Sequence, residues 1–189
     1  MPYPNDTRTA PLRRLPDFFP TPPELCRHLV ELADVRPRMR VLEPSAGRGD
    51  LALALRRARV EPHCLEIQPR LVALLQRQGF AVCRSDFLRL PPVPIYDRIV
   101  QNPPFSGGSD ALHVCCAYRW LKPGGRLVSV MCRGTLYRRD ARAERFRRWL
   151  SAVGARVEPL PDGSFARAWR PTKVRTQRVV IDKTRHFRF

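Results

Sequence analysis

The chain has 189 residues, the length of one domain, and its 43% hydrophobic and 28% charged residues argue against a disordered protein. No apolar run approaches about 18 residues and the N-terminus lacks the apolar stretch of a secretion signal, so neither a membrane-spanning nor a secreted protein is expected. A formal net charge of +18 favours a polyanionic partner.

Strand-like and helical runs alternate along most of the chain. A proline- and arginine-rich arm is predicted over residues 1–16 and a single domain over 17–189, beginning with an amphipathic helix at 22–35. Five strands are predicted at 39–43, 63–67, 80–85, 96–102 and 126–132, the last after a Gly124-Gly125 turn. Helices are predicted at 51–60, 69–79, 110–121 and 144–154, and two further strands at 156–160 and 176–183. This order predicts an α/β fold with a doubly wound, mostly parallel seven-stranded sheet and a C-terminal antiparallel hairpin.

Four polar residues stand at or beside the carboxyl ends of successive predicted strands: Glu43, Glu66, Asp86 and Asn102. Open α/β sheets bind ligands outside these strand ends. We therefore expect the four side chains to line one crevice.

The first strand is followed by a glycine-bearing turn over residues 43–49. Its Gly47-x-Gly49 spacing is similar to a dinucleotide fingerprint, and Glu66 stands about where a ribose-binding acid would be. Two features argue against a dehydrogenase. The loop before Gly47 is long, and Glu43 places an anion where a ligand bearing an ammonium group fits better than a diphosphate.

The most specific motif is Asn102-Pro103-Pro104-Phe105, directly after the fourth strand. Proline lacks an N–H and holds the preceding residue extended, so this backbone is rigid and rich in free carbonyls. The Asn102 side-chain oxygen and the Pro103 carbonyl can both accept from one NH₂ group. The aromatic face of Phe105 suits a planar group such as adenine.

Together these motifs resemble the class I S-adenosylmethionine-dependent methyltransferases, specifically the adenine-N6 enzymes with an Asn-Pro-Pro-Phe motif, including the small DNA adenine methyltransferases of phages and plasmids. The segments that carry the resemblance are Phe19-Pro20-Thr21-Pro22, residues 43–49, Leu65-Glu66-Ile67, Ser85-Asp86-Phe87 and residues 102–105. The resemblance implies S-adenosylmethionine as cofactor and Asn102, Pro103, Pro104 and Phe105 as the catalytic motif.

The same resemblance assigns cofactor contacts along the crevice. Glu66 would accept from the ribose hydroxyls, Asp86 from the cofactor adenine, and Glu43 would face the methionine ammonium. Thr21 would bond the methionine carboxylate or cap the first helix, roles that do not exclude each other. The remaining cofactor-binding residues in this set are Pro44, Ser45, Ala46, Gly47, Gly49, Ile67, Phe87 and Asn102.

Basic residues concentrate in the last third, where residues 133–189 hold 14 Arg and 2 Lys against 5 acids. Aromatic residues interleave with arginines there, as base stacking and phosphate contacts require. The predicted nucleic-acid contacts are Tyr137, Arg138, Arg139, Arg167, Trp169 and Arg170. A solvated surface, or aromatics of the core, is the alternative.

Six cysteines show no Cys-x-x-Cys spacing and four histidines show no ligand spacing. We therefore expect reduced thiols in a cytoplasmic protein, no metal or disulfide framework, and no part for the histidines in the site.

DNA is the favoured substrate, with N6 of adenine as the methyl acceptor. An RNA adenine-N6 methyltransferase is the first alternative, because a single strand avoids the cost of base flipping. A protein-glutamine methyltransferase also presents an amide NH₂, but that family usually has Tyr after the prolines. A nucleic-acid-binding module without catalysis is the last alternative, and the intact Asn102 and Glu66 argue against it.

Overall fold

The computed structural model describes residues 19–166 and 174–184 of the chain. The strands in these ranges are Val41–Glu43 (β1), His63–Glu66 (β2), Val82–Arg84 (β3), Tyr96–Gln101 (β4), Leu121–Cys132 (β5), Arg156–Pro159 (β6) and Thr176–Asp182 (β7). The helices are Pro23–Ala33 (α1), Asp50–Arg57 (α2), Pro69–Arg77 (α3), Ser109–Trp120 (α4), Arg133–Tyr137 (α5) and Ala141–Ala152 (α6). Short 3₁₀ turns lie at Phe87–Arg89 and Ser106–Gly108. The arm predicted over residues 1–16 lies outside the described residues.

The strands form one sheet in the order β3-β2-β1-β4-β5-β7-β6. Strands β1 to β5 pair parallel, and β7 runs antiparallel between β5 and β6. This confirms the predicted α/β sheet with its antiparallel C-terminal pair. The strand order reverses between β1 and β4, which leaves a crevice at their carboxyl ends.

Helices cover both faces of the sheet because neighbouring residues of a strand point to opposite faces. In β1, Val41 packs with α1 and α2, while Leu42 packs with α4. In β4, Val100 packs on the face covered by α1 and α2, and Ile99 packs on the face covered by α4. The nearly continuous apolar strands that the sequence shows are those of a sheet buried on both sides.

The start of the fifth strand is a correction to the prediction. Tyr96 pairs with Leu121 and Arg98 with Arg126, so the Gly124-Gly125 turn is a bulge within β5 rather than its beginning. Leu121 is fully buried, and this burial keeps it in the sheet before the bulge. A Cβ on Gly125 would lie only 2.9 Å from the carbonyl oxygen of Lys122, so only glycine fits there.

All six cysteines are free thiols. Burial raises the pKa of the Cys26 and Cys64 thiols, which makes them poor nucleophiles. Within residues 19–166 and 174–184, no cluster of three or more His, Cys, Asp or Glu side chains is placed to hold a metal ion. In the same ranges, no helix is both long and apolar enough to cross a bilayer.

Candidate active site

A cavity of about 350 Å³ opens at the carboxyl ends of β1, β2 and β4, within the size range of small-molecule sites. Its walls come from five parts of the chain that the sheet brings together: residues 19–21, 43–51, 66–71, 85–88 and 102–113. All four predicted strand-end residues, Glu43, Glu66, Asp86 and Asn102, line it. The crevice expected from their position in the chain is therefore present.

The loop after β1 is a tight turn held against β2. The Ala46 amide donates to the Leu65 carbonyl at 2.9 Å, and the Gly49 amide donates to the Ala46 carbonyl at 2.8 Å. Pro44, Ser45, Ala46 and Gly47 line the cavity. Gly49 is not part of its wall. A Cβ on Gly49 would lie 2.9 Å from the side chains of Leu75 and Gln78, so this glycine lets the loop pack against α3.

Glu66 supports this loop from the end of β2. One carboxylate oxygen accepts from the Gly47 amide and the other from the Gln68 amide, both at 2.8 Å. The side chain is buried, and burial raises its pKa despite these bonds. Each oxygen keeps a further acceptor position, so the carboxylate can still bind a hydroxyl from the cavity. Next to it, the exposed side chain of Ile67 adds an apolar wall.

Glu43 is the most buried acid of the site, with 2% of its surface exposed. Burial raises its pKa well above the usual range, and the nearby carboxylates of Asp50 and Glu66 raise it further. Its Oε2 atom is buried and has no hydrogen-bond partner within the described part of the chain. Asp50 differs, because both of its oxygens lie 3.0 Å from Nε of Arg48. A buried carboxyl with an unused oxygen on a cavity wall is suited to a cationic group.

Glu43→Gln is expected to raise the melting temperature at pH 8 and to change it little at pH 4. The pKa of Glu43 is higher in the folded protein than in the unfolded chain. Between these two pKa values the folded protein therefore binds more protons, and the free energy of unfolding falls as the pH rises. Glutamine removes this titration. Thermal unfolding followed by circular dichroism checks the result, with the exposed Glu31→Gln as control. An equal change in melting temperature at pH 4 and pH 8 would contradict a destabilising buried charge on Glu43.

The loop after β3 closes another side of the cavity. The Asp86 carboxylate accepts from the Leu88 amide at 3.0 Å and caps the 3₁₀ turn, while a second oxygen lies 3.3 Å from Nε of Arg89. The Phe87 ring is buried, with its centroid 5.6 Å from that of His113.

His113 is a site residue that the sequence analysis missed. The prediction that all four histidines lie away from the site is wrong for His113. It lines the cavity from α4, and its Nδ1 lies 3.2 Å from Oγ of Ser45. Burial lowers its pKa to about 4, so the ring is neutral at pH 7. Its helical spacing from the buried Asp110 and Ala117 is the signal that places it on the inner face of α4.

The Asn102-Pro103-Pro104-Phe105 segment follows β4 at the mouth of the crevice. Nδ2 of Asn102 lies 3.0 Å from the carbonyl oxygen of Phe19 and 3.0 Å from Oγ1 of Thr21. Oδ1 of Asn102 is buried without a partner among the described residues. Pro104 lines the cavity and Pro103 is buried. The rings of Phe105 and Phe19 stack with centroids 5.9 Å apart and planes inclined by 15°.

Thr21 also lines the cavity and is buried, but it does not cap α1. The N-cap residue of that helix is Pro22, and no side chain caps the helix. The capping role considered from the sequence is therefore wrong, because the Thr21 hydroxyl bonds Asn102 instead.

Three of the predicted nucleic-acid residues, Tyr137, Arg138 and Arg139, lie at the C-terminal end of α5. Tyr137 is 70% exposed. The Arg138 guanidinium lies 3.6 Å from where a Cβ on Gly108 would stand. Arg147 of α6 donates to the carbonyls of Leu136 and Arg138 and so fixes this turn. The other three predicted contacts, Arg167, Trp169 and Arg170, lie outside the described residues.

Helix α5, which the sequence did not predict, is attached to α4 by a buried carboxylate. Asp110 accepts from the Cys132 amide and from the Thr135 hydroxyl, each at 2.9 Å. Burial raises the Asp110 pKa, while these bonds favour its charged form. The network fixes the start of α5, the helix that ends at Tyr137.

No protein-family model and no curated protein matches the chain. Among solved structures, the M protein of the type I restriction enzyme EcoKI is similar, with a TM-score of 0.72 and 19% identity, covering 90% of this chain and 45% of that one. TrmN from Thermus thermophilus has a TM-score of 0.61 and 25% identity, covering 85% of this chain and 48% of that one. The 23S rRNA methyltransferase ErmE has a TM-score of 0.62 and 20% identity, covering 90% of this chain and 72% of that one.

The chain spans about half the length of the first two of these proteins. At these identities, what the chain shares with them is the Rossmann-like methyltransferase fold.

Proposed function

We propose that this protein transfers the methyl group of S-adenosylmethionine to the N6 amine of adenine in DNA. The observation that carries the proposal is Oδ1 of Asn102, a buried acceptor on a cavity-lining residue that has no partner among the described residues. A buried acceptor without a protein partner calls for an explanation, and a bond completed by a ligand is one.

The cavity fits S-adenosylmethionine in its chemistry. The free oxygen of Glu43 suits the methionine ammonium, and the carboxylate of Glu66 retains acceptor positions for the ribose hydroxyls. Asp86 and Phe87 stand where the resemblance expects the cofactor adenine, and His113 adds a neutral ring to that wall. When bound, the cofactor supplies an activated methyl on a sulfonium.

The residues of the Asn102 segment act on the target amine. In an exocyclic amine the nitrogen lone pair is delocalised into the ring. Hydrogen bonds from its two N–H groups to Oδ1 of Asn102 and the carbonyl of Pro103 favour a tetrahedral nitrogen with an available lone pair. The chemistry then requires alignment and electrostatic stabilisation rather than a general base. The Phe105 ring supplies a stacking face for the base.

A nucleic acid is the proposed substrate because the whole chain carries +18 and the exposed turn at Tyr137, Arg138 and Arg139 brings the Arg138 guanidinium close to Gly108. The similar EcoKI M protein belongs to a restriction enzyme, which favours DNA. RNA is the second candidate, supported by the similarity to a protein named as a 23S rRNA methyltransferase. The proposal includes a cytoplasmic location, the compartment in which free thiols are expected to stay reduced.

The proposal is tested by incubating the full chain with tritiated-methyl S-adenosylmethionine and, in parallel, duplex DNA, single-stranded RNA and protein. The highest incorporation into DNA supports it. An RNA that outperforms every duplex favours the second candidate. Cofactor binding by calorimetry without incorporation anywhere indicates a binding module.

DNA affinity is expected to fall steeply with salt, because each neutralised phosphate contributes about −0.9 to the log–log slope. Arg138→Gln with Arg139→Gln should make that slope shallower by about 2, since both arginines are exposed at the end of α5 and are proposed to contact phosphates. Fluorescence anisotropy between low and physiological salt measures it. The control is Arg77→Gln, which removes an exposed cation at the C-terminal end of α3. A double variant with the wild-type slope would remove this turn from the interface.

A further inference from the structure

Both N–H groups of the Asn102 side-chain amide have hydrogen-bond partners in the segment of residues 19–21. Nδ2 lies 3.0 Å from the Phe19 carbonyl oxygen and 3.0 Å from Thr21 Oγ1. An asparagine amide has two donors on nitrogen and an acceptor on oxygen. The N-terminal segment therefore occupies the whole donor capacity of Asn102 and none of its acceptor capacity.

These partners determine which way the amide points. A backbone carbonyl can only accept, so the atom that faces Phe19 must be the NH₂ nitrogen. The reversed amide would place two oxygens 3.0 Å apart with no proton between them. The orientation of Asn102 thus follows from hydrogen-bond chemistry, although oxygen and nitrogen look alike in shape. Oδ1 is left on the opposite side, buried and without a partner.

The Thr21 hydroxyl is well placed for this task. Thr21 is 5% exposed and stands between Pro20 and Pro22, whose rings restrict the backbone on either side. Its side chain is not used to cap α1. A buried hydroxyl on this restricted backbone accepts from Nδ2 and so holds the amide plane in place.

We propose that Thr21, together with the Phe19 carbonyl, is a positioning residue that fixes the amide of Asn102 with Oδ1 toward the acceptor amine. The identity of the group that donates to Oδ1 rests on the proposed function. The orientation of the amide does not. Thr21 then acts through Asn102 on the rate of methyl transfer, whereas the sequence suggested a cofactor contact.

The test compares Thr21→Val, which keeps the shape and loses the acceptor, with Thr21→Ser, which keeps the hydroxyl. We expect Thr21→Val to lower the single-turnover rate at saturating cofactor by about ten- to a hundredfold, the effect of a misplaced catalytic group. Thr21→Ser should stay within about threefold of wild type, and the cofactor dissociation constant of Thr21→Val should change by less than about threefold.

A second readout needs no substrate. The chain contains only two asparagines, Asn5 and Asn102, so ¹⁵N labelling at asparagine gives two side-chain amide signals that an Asn5→Gln variant assigns. The Asn102 amide protons should exchange with water faster in Thr21→Val than in wild type or Thr21→Ser.

Unchanged Asn102 amide exchange in Thr21→Val would overturn the positioning role. So would a large loss of cofactor affinity with an unchanged rate at saturating cofactor, because Thr21 would then be a cofactor ligand. If no polymer is methylated while the Asn102 exchange responds as expected, the proposed function fails and the positioning of Asn102 stands.

Discussion

Asn102→Ala is expected to lower the rate of methyl transfer by about a thousandfold, the upper range for removing one stabilising hydrogen-bond group from an active site. The cofactor dissociation constant should change by less than about threefold, because Asn102 is assigned to the target amine. Oδ1 of Asn102 is a buried acceptor without a partner among the described residues, and the variant removes one of the two acceptors proposed for the N6 amine. Single-turnover transfer and calorimetry measure the two quantities.

The adjacent Gln101 offers a matched control. It is fully buried in β4, and its amide bonds Ser129 Oγ at 3.2 Å. Alternation along the strand directs it away from the Asn102 side. Gln101→Met should keep the transfer rate within about threefold of wild type. If Asn102→Ala abolished cofactor binding in a folded protein, the assignment of Asn102 to the target would be wrong.

Glu66→Ala is expected to weaken cofactor binding by about 1.5–3 kcal/mol, the range for hydrogen bonds to a charged group, which is about ten- to a hundredfold in the dissociation constant. The variant removes the acceptor proposed for the ribose hydroxyls and also frees the Gly47 and Gln68 amides that shape the loop. Isothermal titration calorimetry with S-adenosylmethionine gives the value.

The control is Glu61→Ala, which removes an exposed carboxylate paired with Arg56 in the loop before the same strand. It should bind the cofactor as wild type does. A Glu66→Ala protein with an unchanged dissociation constant would place Glu66 outside the cofactor site.

The sheet and the crevice could be predicted because their signals are local. Apolar runs such as those around Val41 and Ile99 mark buried parallel strands. Since parallel strands end at the same edge, Glu43, Glu66, Asp86 and Asn102 could be placed together from their position in the chain.

The contacts across the crevice could not be predicted, because they join distant parts of the chain. The bond from Asn102 to Thr21 spans 81 residues. His113 stands alone in the sequence, and its role at the wall depends on how α4 packs beside Ser45 and Phe87. The bulge in β5 was missed because the buried Leu121 is separated from the rest of the strand by the glycine turn.

The most direct measurement of the central claim is the identity of the methylated nucleoside. Duplex DNA is incubated with the full chain and S-adenosylmethionine carrying a deuterated methyl group, digested, and analysed by mass spectrometry. The account predicts labelled N6-methyldeoxyadenosine with the wild-type protein and an initial rate of labelling about a thousandfold lower with Asn102→Ala. A label on cytosine or guanine, or no label at all from a protein shown to bind the cofactor, would contradict it.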